Sequence, residues 1–286
     1  MRDRSADGLL LVDKPAGITS HAVVDRARRA IGTRRIGHAG TLDPFATGLL
    51  VLLVNRTTRL LPFLDAEPKV YRATIRFGTR TTTDDPDGEI VEEAPPPDHA
   101  VVERALGTLT GHLLQRPPAF SAKRVAGVRA YSAARRGEPM ALEPVGVTVY
   151  EWRVLERRGA DLDVELRCSG GTYVRALARD LGEATGSAAH LAALRRLRSG
   201  RFDVADAFSL DRVDRGDFEL LPPTAAVGQL PQQALDDLDA KRVTHGQNVT
   251  AQTQGDVAAL CYNDQLLAIA ERDGQSWRPK VVMRDA

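Results

Sequence analysis

The chain has 286 residues, of which 43% are hydrophobic and 27% are charged. These values are those of an ordinary soluble globular protein with a substantial core, organised as one large domain and a small one. The sequence contains no apolar run of the roughly 18 residues that a membrane span requires, and its first residues lack the apolar region of a signal peptide. We therefore expect a cytoplasmic protein that makes no use of a membrane.

Basic residues barely outnumber acidic ones, 39 against 38. This balance is weak support for nucleic-acid binding, which relies on neutralising phosphates. The distribution is more informative, because arginine predominates over lysine and suits both phosphate oxygens and bases. Arginines cluster at residues 26–35, 124–136, 153–158 and 195–201. The clusters predict a basic face or, alternatively, solvated helix surfaces.

The N-terminal residues predict a strand followed by a helix. Residues 8–13 form an apolar run that ends in a turn, which is typical of a strand. Thr19 or Ser20 can cap the helix that follows. The apolar face of this helix consists of Val23, Val24, Ala27, Ala30 and Ile31.

Residues 37–48 predict a rigid loop around a single carboxylate, that of Asp43. Pro44 restricts the backbone of Asp43 and lacks a hydrogen-bond donor, while three glycines permit turns or close backbone approach. A lone acid held in this way can act as a positioned nucleophile. The alternative interpretation is that Asp43 and Pro44 simply begin a turn.

Further strands are predicted after the loop. Residues 48–54 are a continuous apolar run, which favours a buried strand. From 71 to 77 apolar and polar residues alternate, as in a sheet with one buried face. Two more strands are expected at 147–155 and 161–168, and a helix at 188–197. Because helices and strands are mixed without regular alternation, the pattern favours the α+β class.

Two segments interrupt the expected core. A proline-rich stretch at 92–98 marks a surface connection, and residues 116–143 are poor in bulky apolar side chains, which predicts an insertion outside the core. A boundary falls near Leu221, which two prolines follow. We therefore expect a main domain at 1–220 and a small domain at 221–286.

The cysteines, Cys168 and Cys261, do not indicate a metal site or a disulfide. They are too few and too far apart for a zinc set. In a cytosolic chain two such cysteines are usually small apolar groups. We interpret both as structural.

Five ordered segments carry a family resemblance. The string Gly-His-Ala-Gly-Thr-Leu-Asp-Pro-Phe-Ala-Thr-Gly occupies 37–48, Lys-Val-Tyr-Arg-Ala-Thr-Ile occupies 69–75, and Gly-Gly-Thr-Tyr-Val-Arg occupies 170–175. With the segments at 8–20 and 115–131, they resemble the pseudouridine synthases, and specifically the bacterial family that modifies uridine 55 in the T loop of tRNA. The resemblance covers roughly residues 8–210.

This resemblance implies an isomerase that converts uridine 55 of tRNA to pseudouridine without a metal or another cofactor. It implies an α+β fold with a mixed, mainly antiparallel central sheet, and it makes residues 1–220 the catalytic domain and 116–143 an RNA-binding insertion. Residues 221–286 resemble the small RNA-binding domain known as PUA. The implied partner is the T stem-loop of tRNA, bound without a guide RNA, and we expect a monomer.

The resemblance also assigns roles to individual residues. Asp43 is the expected nucleophile, Arg175 its salt-bridge partner, and Tyr71 the residue that stacks on uracil and takes part in proton removal. His38 is expected to enter the RNA loop in place of the flipped nucleotide. Lys14 and Lys123 match positions near the RNA or the pocket, and Tyr173 and Leu194 match the apolar lining of the pocket. Leu194 fits the core side of the predicted 188–197 helix equally well.

Two other functions remain open. The protein could bind and remodel tRNA as a folding chaperone without essential catalysis, or it could hydrolyse a nucleoside or a sugar with Asp43 as nucleophile. The joint presence of Asp43, Tyr71 and Arg175 argues against an inactive enzyme. The insertion and the C-terminal tail argue against a pocket for free nucleosides.

Overall fold

A computed structural model of the chain describes residues 6–120, 124–125, 128–129 and 142–283. The described residues form two compact units. The first draws on Met1–Asp43, Leu49–Ala66 and Val204–Ala286, and the second on Pro44–Gly48 and Glu67–Asp203. The predicted division into 1–220 and 221–286 follows a different boundary and stays a prediction.

The strands of the described residues range from two residues to 14 in length. They are β1 (Gly8–Lys14), β2 (Ile36–His38), β3 (Thr47–Val54), β4 (Lys69–Phe77), β5 (Thr79–Thr81), β6 (Ile90–Glu93), β7 (Gly111–Gln115), β8 (Arg124–Val125), β9 (Val128–Arg129), β10 (Val145–Arg158), β11 (Asp161–Cys168), β12 (Ala189–Ser199), β13 (Phe202–Asp203), β14 (Phe208–Ser209), β15 (Gln232–Ala234), β16 (Val249–Thr250), β17 (Val257–Tyr262), β18 (Gln265–Asp273) and β19 (Ser276–Val282). The α-helices are α1 (Ser20–Ile31), α2 (His99–Thr108), α3 (Val174–Ala184), α4 (Leu210–Asp214) and α5 (Asp237–Thr244).

In the first unit, α1 packs with β1 and β3 around an aliphatic core. The hydroxyl of Thr19 accepts a hydrogen bond from Ala22 N at 3.0 Å and begins the helix, and Gly32, with a φ of 80°, ends it. The predicted strand at 8–13 and the predicted cap are confirmed. The core consists of Leu10, Val12, Val23, Val24, Ala27, Ile31, Ile36, Leu50, Leu52, Val54, Leu210, Val213 and Phe218.

The C-terminal residues of the first unit form a separate small sheet in the order β15-β17-β18-β19-β16. Trp277 of β19 is fully buried, and its indole Nε1 donates a hydrogen bond to Gln233 Oε1 at 2.8 Å. Helix α5 covers this sheet with Ala240 and Val243. The resemblance of these residues to a PUA domain stays a prediction.

In the second unit, the sheet runs β12-β4-β11-β10-β7 with antiparallel neighbours. The predicted alternation on β4 is confirmed, because Tyr71, Ala73, Ile75 and Phe77 are buried. Helix α3 packs against β12. The predicted strands at 147–155 and 161–168 are confirmed as parts of β10 and β11, and the α+β class is confirmed with them.

The helix predicted at 188–197 is wrong, since residues 189–197 belong to strand β12. Alanine, leucine and arginine dominate the segment, and their high helix propensity misled the prediction. Pairing with β4 overrides that propensity, because β12 exchanges backbone hydrogen bonds along most of the length of β4. The interpretation of Leu194 as a residue on the core side of a helix is therefore also wrong, because Leu194 lies on a strand.

Gly48 lets β3 begin against β12 within the second unit. It pairs in parallel with Arg196, and its φ of 100° is one that other residues rarely adopt. A Cβ at this position would lie 2.3 Å from the carbonyl oxygen of Arg196. The third glycine of the loop is therefore required both by its backbone conformation and by the space available.

We expect Gly48→Ala to lower the free energy of unfolding by at least about 1–3 kcal/mol, because the backbone strain alone costs that much. Urea denaturation measures the change. Gly107→Ala is the matched control, since Gly107 lies in α2 and its added Cβ would meet no atom within 4 Å beyond the neighbouring backbone of the helix itself. We expect a gain of up to about 1 kcal/mol there. Equal stability of Gly48→Ala and wild type would contradict the argument.

Candidate active site

In the first unit, the backbone just before Asp43 is held by the side chain of Ser20. The Ser20 hydroxyl donates to Leu42 O at 3.0 Å and accepts from Leu42 N at 2.9 Å. Ser20 is the first residue of α1 and is buried, as is the Leu42 side chain. Two hydrogen bonds to the backbone of Leu42 fix the orientation of that residue. The chain therefore enters the half-buried Asp43 from a fixed backbone position.

The preceding strand fixes the other side of the loop. His38 ends β2 opposite Leu52 of β3, and the next backbone N–H, that of Ala39, donates to Val51 O at 2.9 Å. His38 is partly exposed. The loop from 39 to 46 has no regular secondary structure, as predicted for the segment that carries Asp43.

Lys14 is fully buried, although it was expected near the RNA or the pocket. Its ammonium group donates to Pro15 O at 2.9 Å and to Ile18 O at 2.8 Å, and these bonds close the turn between β1 and α1. The structure therefore gives Lys14 a role in shaping this turn. Its contact with substrate stays a prediction.

In the second unit, Tyr71 and Leu194 lie on one face of the sheet. Tyr71 of β4 pairs with Arg196 of β12, and Leu194 pairs with Ala73. Residues two apart on a strand point to the same side, so Tyr71, Leu194 and Arg196 are neighbours. The structure thus brings together two of the predicted pocket residues and adds a fully buried arginine that the sequence analysis did not identify.

A second cation lies on the same face. Lys69 precedes Tyr71 by two residues on β4, and burial, followed by the charge of Arg196, lowers the pKa of its ammonium group. Glu67 acts in the opposite direction on that pKa. The face around Tyr71 therefore carries concentrated positive charge. The sequence offered a signal for Lys69, because the strand alternation places it beside Tyr71.

Opposite Lys69 lies Cys168, whose thiol is buried. Burial raises the pKa of this thiol to about 11. Cys168 and Cys261 are both free cysteines. The structural interpretation of Cys168 agrees with its place in the core of the second unit.

Arg175 is the second residue of α3 and is only 5% exposed, although an isolated helix arginine is usually on the surface. Its guanidinium donates to Thr83 O and to Phe120 O, both at 3.0 Å. It also forms an ion pair with Asp85 at 3.3 Å. Three groups, two from the 83–87 loop and one from Phe120, thus meet at one planar side chain.

The loop at 83–87 is organised around Asp85. The Asp85 carboxylate accepts hydrogen bonds from the Thr83 hydroxyl and from the backbone N–H of Asp87. Only 6% of the residue is exposed. No role was predicted for Asp85 from the sequence, because no local pattern indicates that this carboxylate faces Arg175.

The neighbouring ion pair is also largely buried. Arg179 lies 3.3 Å from Asp84 and 2.7 Å from Asp180. Burial raises the pKa of the Asp84 and Asp180 carboxyls, while the charge of Arg179 opposes the rise. These contacts tie the 83–87 loop to α3, next to Arg175.

Tyr173 is positioned through its backbone. Its N–H donates to Gln115 Oε1 at 2.8 Å, and its carbonyl accepts from Gln115 Nε2 at 3.0 Å. Gln115 is the buried last residue of β7. This second two-point contact holds the residue before α3, and it was not predicted.

The predicted site residues fall in both units: Lys14, His38 and Asp43 in the first, and Tyr71, Tyr173, Arg175 and Leu194 in the second. The salt bridge between Asp43 and Arg175 stays a prediction. Lys123 lies outside the described residues, as does most of the predicted insertion at 116–143; β8 and β9 pair within it.

The described residues contain neither a candidate metal cluster nor a helix able to span a membrane. No cluster of three or more His, Cys, Asp or Glu side chains in that part of the chain could hold a metal ion. None of the helices in the same residues is long and apolar enough to cross a membrane.

Comparison with known proteins identifies the family. Residues 28–174 match the N-terminal domain of the TruB family pseudouridylate synthases, and 175–217 match the tRNA pseudouridylate synthase B C-terminal domain. The chain is 47% identical to tRNA pseudouridine synthase B of Thermobifida fusca (strain YX), covering 97% of this chain and 98% of the relative. It is 45% identical to the protein of that name from Leifsonia xyli subsp. xyli, covering 96% and 95%.

A solved structure supports the fold over the same length. A chain of a Cbf5-Nop10-Gar1 complex superposes with a TM-score of 0.71 at 25% identity, covering 97% of this chain and 85% of that chain. The match of two family models, the identity to relatives of nearly equal length and the common fold agree with one another. The chain belongs to the TruB family of pseudouridylate synthases.

Proposed function

We propose that this protein isomerises uridine to pseudouridine at position 55 in the T loop of tRNA, with Asp43 as the nucleophile. The clamped backbone before Asp43 is the observation that carries the proposal, because a nucleophile must be held in place before its substrate arrives. The names of the relatives, tRNA pseudouridine synthase B, support tRNA as the substrate.

The reaction consumes neither water nor an oxidant. The bond between N1 of uracil and C1′ of ribose breaks, the base turns within the pocket, and a bond between C5 and C1′ forms. The proton on C5 leaves and N1 gains a proton, so the atoms balance. One carboxylate suits this chemistry, since it can attack or stabilise the positive charge that develops at C1′.

The residues of the second unit supply the surroundings of the base in this proposal. Tyr71 stacks on uracil and takes part in removal of the C5 proton, and Leu194 contributes apolar surface beside it. Lys69 and Arg196 add positive charge on the same sheet face. This charge stabilises the negative charge that uracil carries while its bond to ribose is broken. Arg175 pairs with Asp43 and orients it.

Asp85 is a positioning residue in this scheme. It acts through Arg175, whose guanidinium it holds at 3.3 Å together with two backbone carbonyls. These partners preorganise Arg175 before any substrate binds. A preorganised charge requires no rearrangement during the reaction and therefore stabilises the transition state more than the ground state.

The RNA must release its base before the chemistry begins. Extracting a nucleotide costs a few kcal/mol, which new contacts have to offset. His38 is proposed to enter the RNA loop in the place of uridine 55. Its position at the end of β2, on a strand paired with β3, gives the imidazole a rigid support.

We expect Asp43→Asn to abolish pseudouridine formation while tRNA affinity stays within about tenfold, because the nucleophile contributes to the transition state more than to binding. The measurement is mapping of pseudouridine along an unmodified tRNA transcript, with binding measured in parallel. Asp211→Asn is the control, since Asp211 is exposed. Substantial turnover by Asp43→Asn would remove the nucleophile role, and binding without modification by the wild type would favour the chaperone.

We expect Asp85→Asn to lower the single-turnover rate by about 10- to 100-fold, because a hydrogen bond to a charged group contributes about 1.5–3 kcal/mol. The tRNA dissociation constant should change little, and this separates positioning from general damage to the fold. Asp87→Asn is the control on the same loop, where the side chain is exposed. Unchanged single-turnover kinetics of Asp85→Asn would exclude the positioning role.

We expect His38→Ala to slow single-turnover modification of folded tRNA by about tenfold or more, because base extraction loses a replacement contact. The His21→Ala variant is the matched control, since His21 lies exposed on α1. Rapid-quench measurement under enzyme excess reports the step directly. An unchanged rate would count against insertion of His38 into the RNA.

A further inference from the structure

The first unit contains a polar cavity that the proposed mechanism does not use. Its volume is about 480 Å³, and its lining residues are Asp7, Thr33, Arg34, Arg35, Asn55 and Arg56. Pockets for small organic ligands are mostly apolar. Every residue that lines this cavity is polar or charged, so its chemistry suits an anion.

Hydrogen bonds hold the walls of the cavity. Asn55 has a φ of 53°, and its side chain donates to Ala6 O at 2.8 Å and accepts from the Thr33 hydroxyl at 2.6 Å. The Asn55 N–H donates to Arg35 O at 2.7 Å. These bonds join the N-terminal residues, the turn after α1 and the end of β3, so the arginines extend from a fixed frame.

The charges of the cavity do not cancel. Three arginines face one carboxylate, that of Asp7, which accepts a hydrogen bond from Arg56 N at 2.7 Å. No carboxylate of a described residue forms an ion pair with Arg34 or Arg35. By contrast, Arg28 of the preceding helix pairs with Asp25 at 2.9 Å.

Arg56 is held differently from the two arginines of the turn. Its guanidinium donates to Met283 O at 2.9 Å, so part of its hydrogen-bonding capacity is fixed by the protein. Arg34 and Arg35 are exposed. The cavity therefore combines one anchored cation with two that can adjust to a ligand.

Arginine suits phosphate because its planar guanidinium matches two phosphate oxygens at once. The position of the cavity indicates that such a phosphate belongs to the RNA backbone. Arg35 precedes β2, and three residues of a strand span about 10 Å, which brings the cavity close to His38. In the proposed function His38 enters the RNA, so a neighbouring anion site faces the same RNA strand.

We infer that this cavity binds backbone phosphates of the RNA beside the loop that His38 enters, through Arg34 and Arg35 with Arg56 as the anchored third cation. The inference rests on the proposed function, since it takes tRNA as the partner. The site is separate from the residues that surround the reacting base, and it recognises charge and spacing without reading a sequence.

The test is the salt dependence of tRNA binding by the full-length protein. We compare wild type, Arg34→Ala/Arg35→Ala and the control Arg104→Ala/Arg215→Ala between about 50 and 200 mM KCl. The control removes the same charge from exposed arginines outside the cavity. The Arg34 and Arg35 side chains have no described partner, so circular dichroism should show a folded variant.

We expect the cavity variant to bind tRNA about tenfold more weakly and to lose about 1.5 from the slope of log K against log salt, because each phosphate contact contributes about 0.7–0.9. The control should keep the wild-type slope. An unchanged slope in the cavity variant, or the same loss in both variants, would overturn the inference.

Two further outcomes separate the sources of phosphate and the two proposals. Saturable binding of inorganic phosphate that the cavity variant loses, with an unchanged tRNA slope, would make the cavity a site for a free anion and overturn the RNA role. Pseudouridine formation by wild type with an unchanged slope in the variant would overturn this inference alone. Wild type that neither binds nor modifies tRNA would overturn both proposals.

Discussion

The paired hydrogen bonds between Ser20 and Leu42 are the constraint on which the candidate site depends. They join the first turn of α1 to the residue before Asp43, so the orientation of the helix sets the start of the loop. The apolar face of α1 is in turn fixed by β1 and β3 in the core of the first unit. Packing of α1 in the core thus determines where the backbone of the proposed nucleophile lies. If α1 were mobile, the two hydrogen bonds of Ser20 alone could not hold that backbone in one place.

The second unit uses buried charge for the same purpose. Arg175, Asp85, Asp84 and Arg179 are each removed from most solvent, and such groups are costly to bury unless they are paired. Backbone carbonyls complete the coordination of Arg175, so the guanidinium has one well-defined orientation. Gln115 adds a neutral version of this arrangement at Tyr173. Desolvation of the charged groups in such a network costs folding free energy. In return, the network defines one geometry at the start of α3.

Local patterns predicted much of the fold. The apolar run of β1, the cap at Thr19 and the alternation on β4 are determined by neighbouring residues and were predicted correctly. Strand β12 was mistaken for a helix because its composition favours helix, and only pairing with a distant strand decides otherwise. The loop of Asp43 was recognised from its motif, whereas the contacts of Ser20, Asp85 and Gln115 join residues 22, 90 and 58 positions apart. No pattern in a single sequence specifies such partners.

The core position of Cys168 has a chemical consequence for the second unit. Peroxides and alkylating reagents attack the thiolate, and a thiol whose pKa is raised to about 11 supplies almost none of it at neutral pH. Burial also keeps such reagents away from the sulfur atom. The strand face that carries Lys69 and Tyr71 is consequently protected from oxidative damage at its nearest cysteine, and modification at this position does not provide a redox signal.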